Sequence, residues 1–275
     1  MMKHLKASSD TFELPEVECY NLEYICDKEM TELIEWIHVI RRVQHKNLMI
    51  IKDIILQDSC INIICNISKY GTMENIIKKN GYQCGISCEL LISSVVYQTC
   101  EGLLYLHHNM NIIHRGICPD AVFIDGKGVV KLGKFNNCIQ LDFVATKSTD
   151  FPVKLPHLVP WYSPELIEQE FYGYSFNSDV YSLGLLISFL FTGRMPYDDC
   201  EPPLILLKKI SLVDMPNLEV NSNRSDASLL MQEFFNLCVL HNPRDRPNVD
   251  QILSHNWLHA RAHCSKSSWK QFVNE

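Results

Sequence analysis

No stretch of the 275 residues is apolar for long enough to cross a bilayer. The longest such run, around Leu183 to Phe191, is well short of the ~20 residues a spanning helix needs. The opening Met1 to Asp10 has no apolar signal core either. Basic residues are in the minority, 25 Lys and Arg against 32 Asp and Glu, for a net charge of −7. That balance excludes a global basic field of the kind that draws a chain to nucleic acid or to anionic lipid, so neither nucleic acid nor membrane is an expected partner, and any polyphosphate would need a local arrangement of charge. The 12 cysteines stand singly, from Cys19 to Cys264, without CxxC pairs. Zinc-ribbon spacing is therefore missing and no metal site is expected. Reduced thiols fit a cytoplasmic chain, with the nucleus as a secondary location. Repeats and long low-complexity linkers are also lacking.

What is present is an ordinary globular balance, 47% hydrophobic and 21% charged, long enough for one large domain. Glu16 to Leu22 predicts a strand. Lys28 to Val43 sets Met30, Leu33, Ile34, Ile37 and Ile40 at helical spacing. Ile50 to Leu56 and Ile61 to Ile67 predict two strands joined across Gln57-Asp58-Ser59. Helical patterns take over afterwards, over Thr72 to Lys79, Ser87 to His107, Ser178 to Phe191 and Leu229 to Leu240, while Ser211 to Asp226 reads as a polar surface loop. Strands first and helices second point to a two-lobed α+β protein.

Between the Ser87 helix and the middle of the chain lies Ile113-His114-Arg115-Gly116-Ile117-Cys118-Pro119-Asp120-Ala121-Val122-Phe123-Ile124-Asp125. This resembles a protein-kinase catalytic loop and the strands that follow it. Eighteen residues past Gly116, Lys134-Phe135-Asn136 stands at the place of the kinase DFG. Ser163-Pro164-Glu165 resembles APE, and Asp179-Val180-Tyr181-Ser182-Leu183-Gly184 the start of the large buried helix. Asn242 to Pro247, followed by Ile252 to Trp257, resembles the closing helices. Five ordered signatures over the 145 residues from Ile113 to Trp257 make the match specific. The activation segment, the Lys69-Tyr70-Gly71-Thr72 hinge and Asn21-Leu22-Glu23 resemble the sterile-20 branch, and within it the sterile-20-related adaptor (STRAD) pseudokinases.

The resemblance implies a bilobal protein-kinase-like fold with a truncated β-rich N-lobe over residues 1–67, a hinge at 68–71, a helical C-lobe over 72–260 and a tail at 261–275. About 15 residues precede the Glu16 strand and hold no Gly-rich loop, so the expectation is a missing phosphate lid or a late start. Kinase catalysis is positioning plus electrostatics: an Asp base, an Asn and an Asp on Mg²⁺, and a Lys on the phosphates. Matched position by position, this chain has Gly116 for the base, Cys118 for the nearby Lys, Ala121 and Lys134 for the metal ligands, and Glu18 for the strand Lys. Trp36 falls at the helix Glu, and a slip of one residue would put Glu35 there.

The pocket positions that a nucleotide would touch are Cys65, Ile67, Phe123 and Lys134. No cofactor is required, and ATP without Mg²⁺ is the one ligand in view, with Lys134 standing in for the ion. Against it stand plainer roles: Lys134 as a solvated cation, Phe123 as core, Cys65 as inert packing. Arg115 could clamp a phosphorylated Thr146, Ser148 or Thr149, but bonding loop carbonyls is the better expectation. His107 and His108 are expected only to complement a helix C-terminus.

His114, Arg115, Phe135, Glu165, Asp179 and Arg246 are expected to be structural, with Ile51, Ile40, Phe135 and His114 forming one apolar column and Glu165 pairing with Arg246. The implied function is that of a catalytically inactive adaptor which binds and allosterically activates a serine/threonine kinase, with a helical-repeat scaffold as a second partner. An atypical, residually active kinase is the alternative. The partner face is expected in the activation segment, at Phe151, Leu158, Trp161 and Tyr162, with packing against the helix behind it weighed equally for Trp161.

Overall fold

The computed structural model describes residues 15–79, 85–142, 144–150, 156–168, 173–211, 217–218, 227–259 and 272. Phe151, most of the expected 211–226 loop and the tail apart from Phe272 lie outside them. Strand β1 (Pro15–Asn21) leads to helix α1 (Asp27–Ile40) and then to the hairpin of β2 (Ile51–Gln57) and β3 (Cys60–Ile67). The three strands form an antiparallel sheet in the order β1-β3-β2. Asp58 and Ser59 close the hairpin with φ of 51° and 58°, both positive as a tight two-residue turn demands. Cys60 therefore faces Gln57, and β3 becomes the central strand.

Past Ser68–Gly71, where the Tyr70 amide donates to the Ile124 carbonyl, the chain turns helical. Helices α2 (Met73–Lys79) and α3 (Glu89–Leu104) come first. Then follow four short strands: β4 (Ile112–Ile113), β5 (Val122–Ile124), β6 (Val130–Leu132) and β7 (Ile139–Gln140). They pair as β5 with β6 and β4 with β7. Helices α4 (Pro164–Ile167), α5 (Asn177–Thr192), α6 (Pro202–Ser211), α7 (Leu229–Cys238), α8 (Val249–Leu253) and α9 (Asn256–His259) complete the lobe. This is a bilobal α+β kinase fold.

Helix α5 is buried on every side from Ser178 to Thr192, which explains why its sequence is apolar without a polar stripe. Gly184 lets α7 pack against it, because a Cβ there would sit 2.8 Å from the Cβ of Cys238. Helix α6 opens on two prolines, which occupy the first turn, where a missing N–H is harmless. No helix among the described residues is long and apolar enough to cross a membrane.

Candidate functional site

The cleft between the lobes is built from β1, α1, β3, β5 and the turn Phe135–Asn137. Glu16, Glu18, Trp36, Ile40, Met49, Ile51, Ile63, Cys65, Phe123, Lys134 and Phe135 line it, and they enclose a free volume of only about 10 Å³. That is room for about one water. Of the residues expected to meet a nucleotide, Cys65, Phe123 and Lys134 do line the cleft, while Ile67 ends β3 and its side chain lies outside what is described. Phe123 and Cys65 are buried. Burial pushes the Cys65 thiol up to about 12, with Glu18 and Glu16 adding to the shift. It is a packing residue and not a reactive thiolate.

Glu18 accepts a hydrogen bond from the Tyr20 hydroxyl at 3.0 Å. Desolvation raises its pKa, and Tyr20 and Lys134 oppose that. Trp36, not Glu35, enters the site: Glu35 is exposed, whereas the Trp36 indole N–H donates to the Phe135 carbonyl. Lys134 adopts a left-handed backbone at φ 57°, and its ammonium pairs with the Asp120 carboxylate. The cation is partly exposed, as the plainer expectation had it, and its partner is a carboxylate of this chain. Asp120 was not singled out in the sequence.

Gly116 sits at the base position with its amide on the His114 Nδ1, and offers no side chain. Cys118 and Ala121 are buried. The Cys118 thiol is pushed up to about 12 by burial, against the pull of Lys134. Beneath them Asp179, fully buried, accepts from the His114 and Arg115 amides at 2.8 Å each and meets His107 Nε2 at 2.9 Å. Burial opposes its charge, yet these donors hold its carboxyl below the ordinary range. His107 lies in the last turn of its helix, as expected, and in addition faces a buried carboxylate. Arg115 donates to the Asn137 and Asp150 carbonyls and to the Tyr174 hydroxyl, at 2.6, 3.2 and 2.8 Å.

The apolar column is continuous. Ile51, Ile40 and Phe135 share the cleft lining, and the Phe135 ring meets His114 edge to face at 5.6 Å. His114 Nε2 lies 3.0 Å from the Gly133 carbonyl. Burial lowers the His114 pKa from 6.5, with Asp179 pulling the other way. The sign follows: below about pH 6.5 the unfolded histidine takes a proton that the folded one resists, so stability is present above that pH and falls as pH drops toward the folded value. The melting temperature is therefore expected to decline from pH 7 to pH 5. A midpoint flat across that range, or a ring proton titrating at the free value by NMR, would count against it.

In the C-lobe, Arg246 makes a bidentate pair with Glu165 at 2.7 and 3.1 Å, both side chains buried. Lys209 was missed by sequence reasoning altogether. Fully buried on α6, it donates to the Pro160 carbonyl at 2.7 Å and to the Tyr162 carbonyl, beneath the rings of Tyr181 and Tyr197. Leu158, Trp161 and Tyr162 are buried as well, the Trp161 carbonyl accepting from Ser182 and the Tyr162 hydroxyl from Asn137. Their burial corrects the contacts expected at Leu158 and Tyr162, and Trp161 takes its packing role, its ring edge-on to Phe189 of α5 at 6.1 Å.

Comparison with known proteins fits this geometry. The protein kinase domain model matches residues 17–258. The chain belongs to that family. Its similarity extends to a STE20-related kinase adapter protein beta of Mus musculus, 26% identical over 92% of this chain and 70% of that one. A STE20-related kinase adapter protein alpha of Bos taurus is 24% identical over 94% and 80%. MAP3K epsilon protein kinase 2 of Arabidopsis thaliana is 29% identical over 90% of this chain, which spans only 17% of that protein. This is a kinase-like, STRAD-type chain, with relatives named as adapters and relatives named as kinases at comparable identity.

The nucleotide and Mg²⁺ that the kinase family implies do not fit the residues present. A cation already sits at the metal position, and the carboxylates of Glu16 and Glu18 line the same cleft.

Proposed function

We propose that the chain is a catalytically inactive kinase-like adaptor that binds a serine/threonine kinase and activates it allosterically. The observation that carries this reading is the Lys134–Asp120 ion pair at the metal position, facing a base position occupied by Gly116. Without a base, and with cationic charge where the ion's ligands should be, electrostatic stabilisation of a transferring phosphoryl group is lost. The scaffolding contacts speak for a retained kinase shape: Asp179 on the catalytic-loop amides, Glu165 with Arg246, and the column through Phe135.

With Leu158, Trp161 and Tyr162 turned inward, the apolar surface we assign to a partner among the described residues is the outer side of α6. Leu204, Leu207 and Ile210 are 45%, 61% and 46% exposed, about one helical turn apart. The exposed carboxylates of Asp198 and Glu201 precede them. An apolar surface bordered by Lys or Arg is the complement we assign to the partner kinase. A helical-repeat scaffold remains a second proposed partner; the tail that would meet it lies outside the described residues.

The test has two arms. With radiolabelled ATP, Mg²⁺ or Mn²⁺ and generic protein substrates, no transfer above background is expected; turnover abolished by a cleft mutation would support the residually active kinase instead. Across a panel of purified serine/threonine kinases, one is expected to form a complex and gain turnover, and Leu204→Asp with Leu207→Asp should weaken that complex at least tenfold at an unchanged melting temperature. A panel with no responding kinase would remove the adaptor reading.

A further inference from the structure

In a phosphotransferase of this fold, a strand cation and carboxylate ligands at the turn receive a metal-bound nucleotide. Here both signs are reversed. Glu16 and Glu18 on β1 line the same cleft as Lys134, where burial disfavours the ammonium and the charges of Glu18, Glu74 and Glu16 favour it. The ammonium itself pairs with Asp120, so the place where a divalent cation would neutralise the loop already holds a covalently attached positive charge. Entering phosphate would meet Glu16 and Glu18, and an entering cation would meet Lys134.

The same few residues also close the lobes on each other. The Phe135 carbonyl accepts from Trp36 and so ties α1 to the turn, while Tyr20 packs on Trp36 with ring centres 6.2 Å apart. The Gly133 amide donates to the Ala121 carbonyl at 2.9 Å, and the Cys138 amide to Phe135 at 3.0 Å. Between these anchors Lys134 keeps a left-handed conformation, which a residue with a side chain holds only when its surroundings impose it. The pairing with Asp120 is the one strong side-chain contact described for Lys134 that can impose it.

We propose that the Lys134–Asp120 ion pair is this protein's internal replacement for the metal-bound nucleotide: it holds the Phe135 turn under α1, so the closed, active-like arrangement is kept without any ligand. The inference concerns the cleft alone and stands whether or not the chain engages a partner kinase.

Two measurements on the intact chain test it. In thermal melts, ATP with Mg²⁺, ATP with a chelator, and Mg²⁺ or Mn²⁺ alone should each leave the wild-type midpoint unmoved. Hydrogen exchange at the Gly133 and Cys138 amides should accelerate roughly fivefold in Lys134→Met and in Asp120→Asn, and no further in the double variant, as a shared contact requires. Lys134→Arg should keep the protection, and it also separates loss of charge from loss of folding. Lys134→Asp should open a carboxylate cluster and make the midpoint rise with Mg²⁺. A wild-type midpoint raised by ATP under either condition would overturn the proposal, as would single-variant effects that simply add.

Discussion

Replacing Arg246 by Met is expected to lower the stability of the chain by about 3–5 kcal/mol, the cost of leaving a buried charge without its partner. Arg246 is the hub of the lobe. Besides the bidentate pair with Glu165, it donates to the carbonyls of Leu240, His241 and Asn177 and stacks over Tyr181 at 5.0 Å. Met fills the volume but leaves the Glu165 carboxylate and those carbonyls without donors. Lys restores charge but not the planar two-pronged geometry, so Arg246→Lys should recover only part of the loss. The informative comparison is the double variant Glu165→Met with Arg246→Met. It removes both charges and is expected to be less destabilised than Arg246→Met alone. Chemical denaturation of the four proteins checks this, and equal losses for the single and double variants would show that the pair's burial is not the cause.

Asp179→Ala is expected to cost about as much, roughly 3–5 kcal/mol, by a different route. The carboxylate satisfies two backbone amides and faces an imidazole nitrogen in a fully buried pocket. Alanine orphans all three, and at about 1–3 kcal/mol each an unsatisfied buried donor is expensive. Arg115, at φ 54°, loses the bond on its own amide that helps hold that backbone. The pH dependence has a definite sign. Because the folded carboxyl titrates below the ordinary range, its contribution is complete above the unfolded value near 3.8 and is lost as pH falls through the folded value. Wild type and Asp179→Ala should therefore converge in strongly acidic solution. Denaturant midpoints across pH 2–7, read as an order-of-magnitude window, are the check; a constant gap between the two proteins would place the effect elsewhere.

Local order was legible in the sequence because it depends on near neighbours. Apolar spacing marked α1, α3 and α7, and alternation around a short polar turn marked the β2–β3 hairpin. The ordered signatures from His114 to Trp257 were enough to place the kinase fold, since each is a contiguous string whose backbone role travels with it. The pairing of Glu165 with Arg246, 81 residues apart, was reached through that resemblance and is present.

Tertiary structure alone decided who faces whom. Helix periodicity could not choose between Trp36 and Glu35, one residue apart, until α1 was docked and the indole met Phe135. A lone Lys134 could be solvated or engaged, and Asp120 settled it through a contact between two loops 14 residues apart. Leu158 and Tyr162 read as surface in a loop with few local constraints, yet both are buried. Lys209, on which no sequence signal bears, is buried because two carbonyls and two aromatic rings replace its water. Apolar periodicity is a property of neighbours along the chain, whereas the partner of a charge is set by which segments the packed core brings within a few ångströms. For that reason the fold could be read from the sequence and the contacts at its cleft could not.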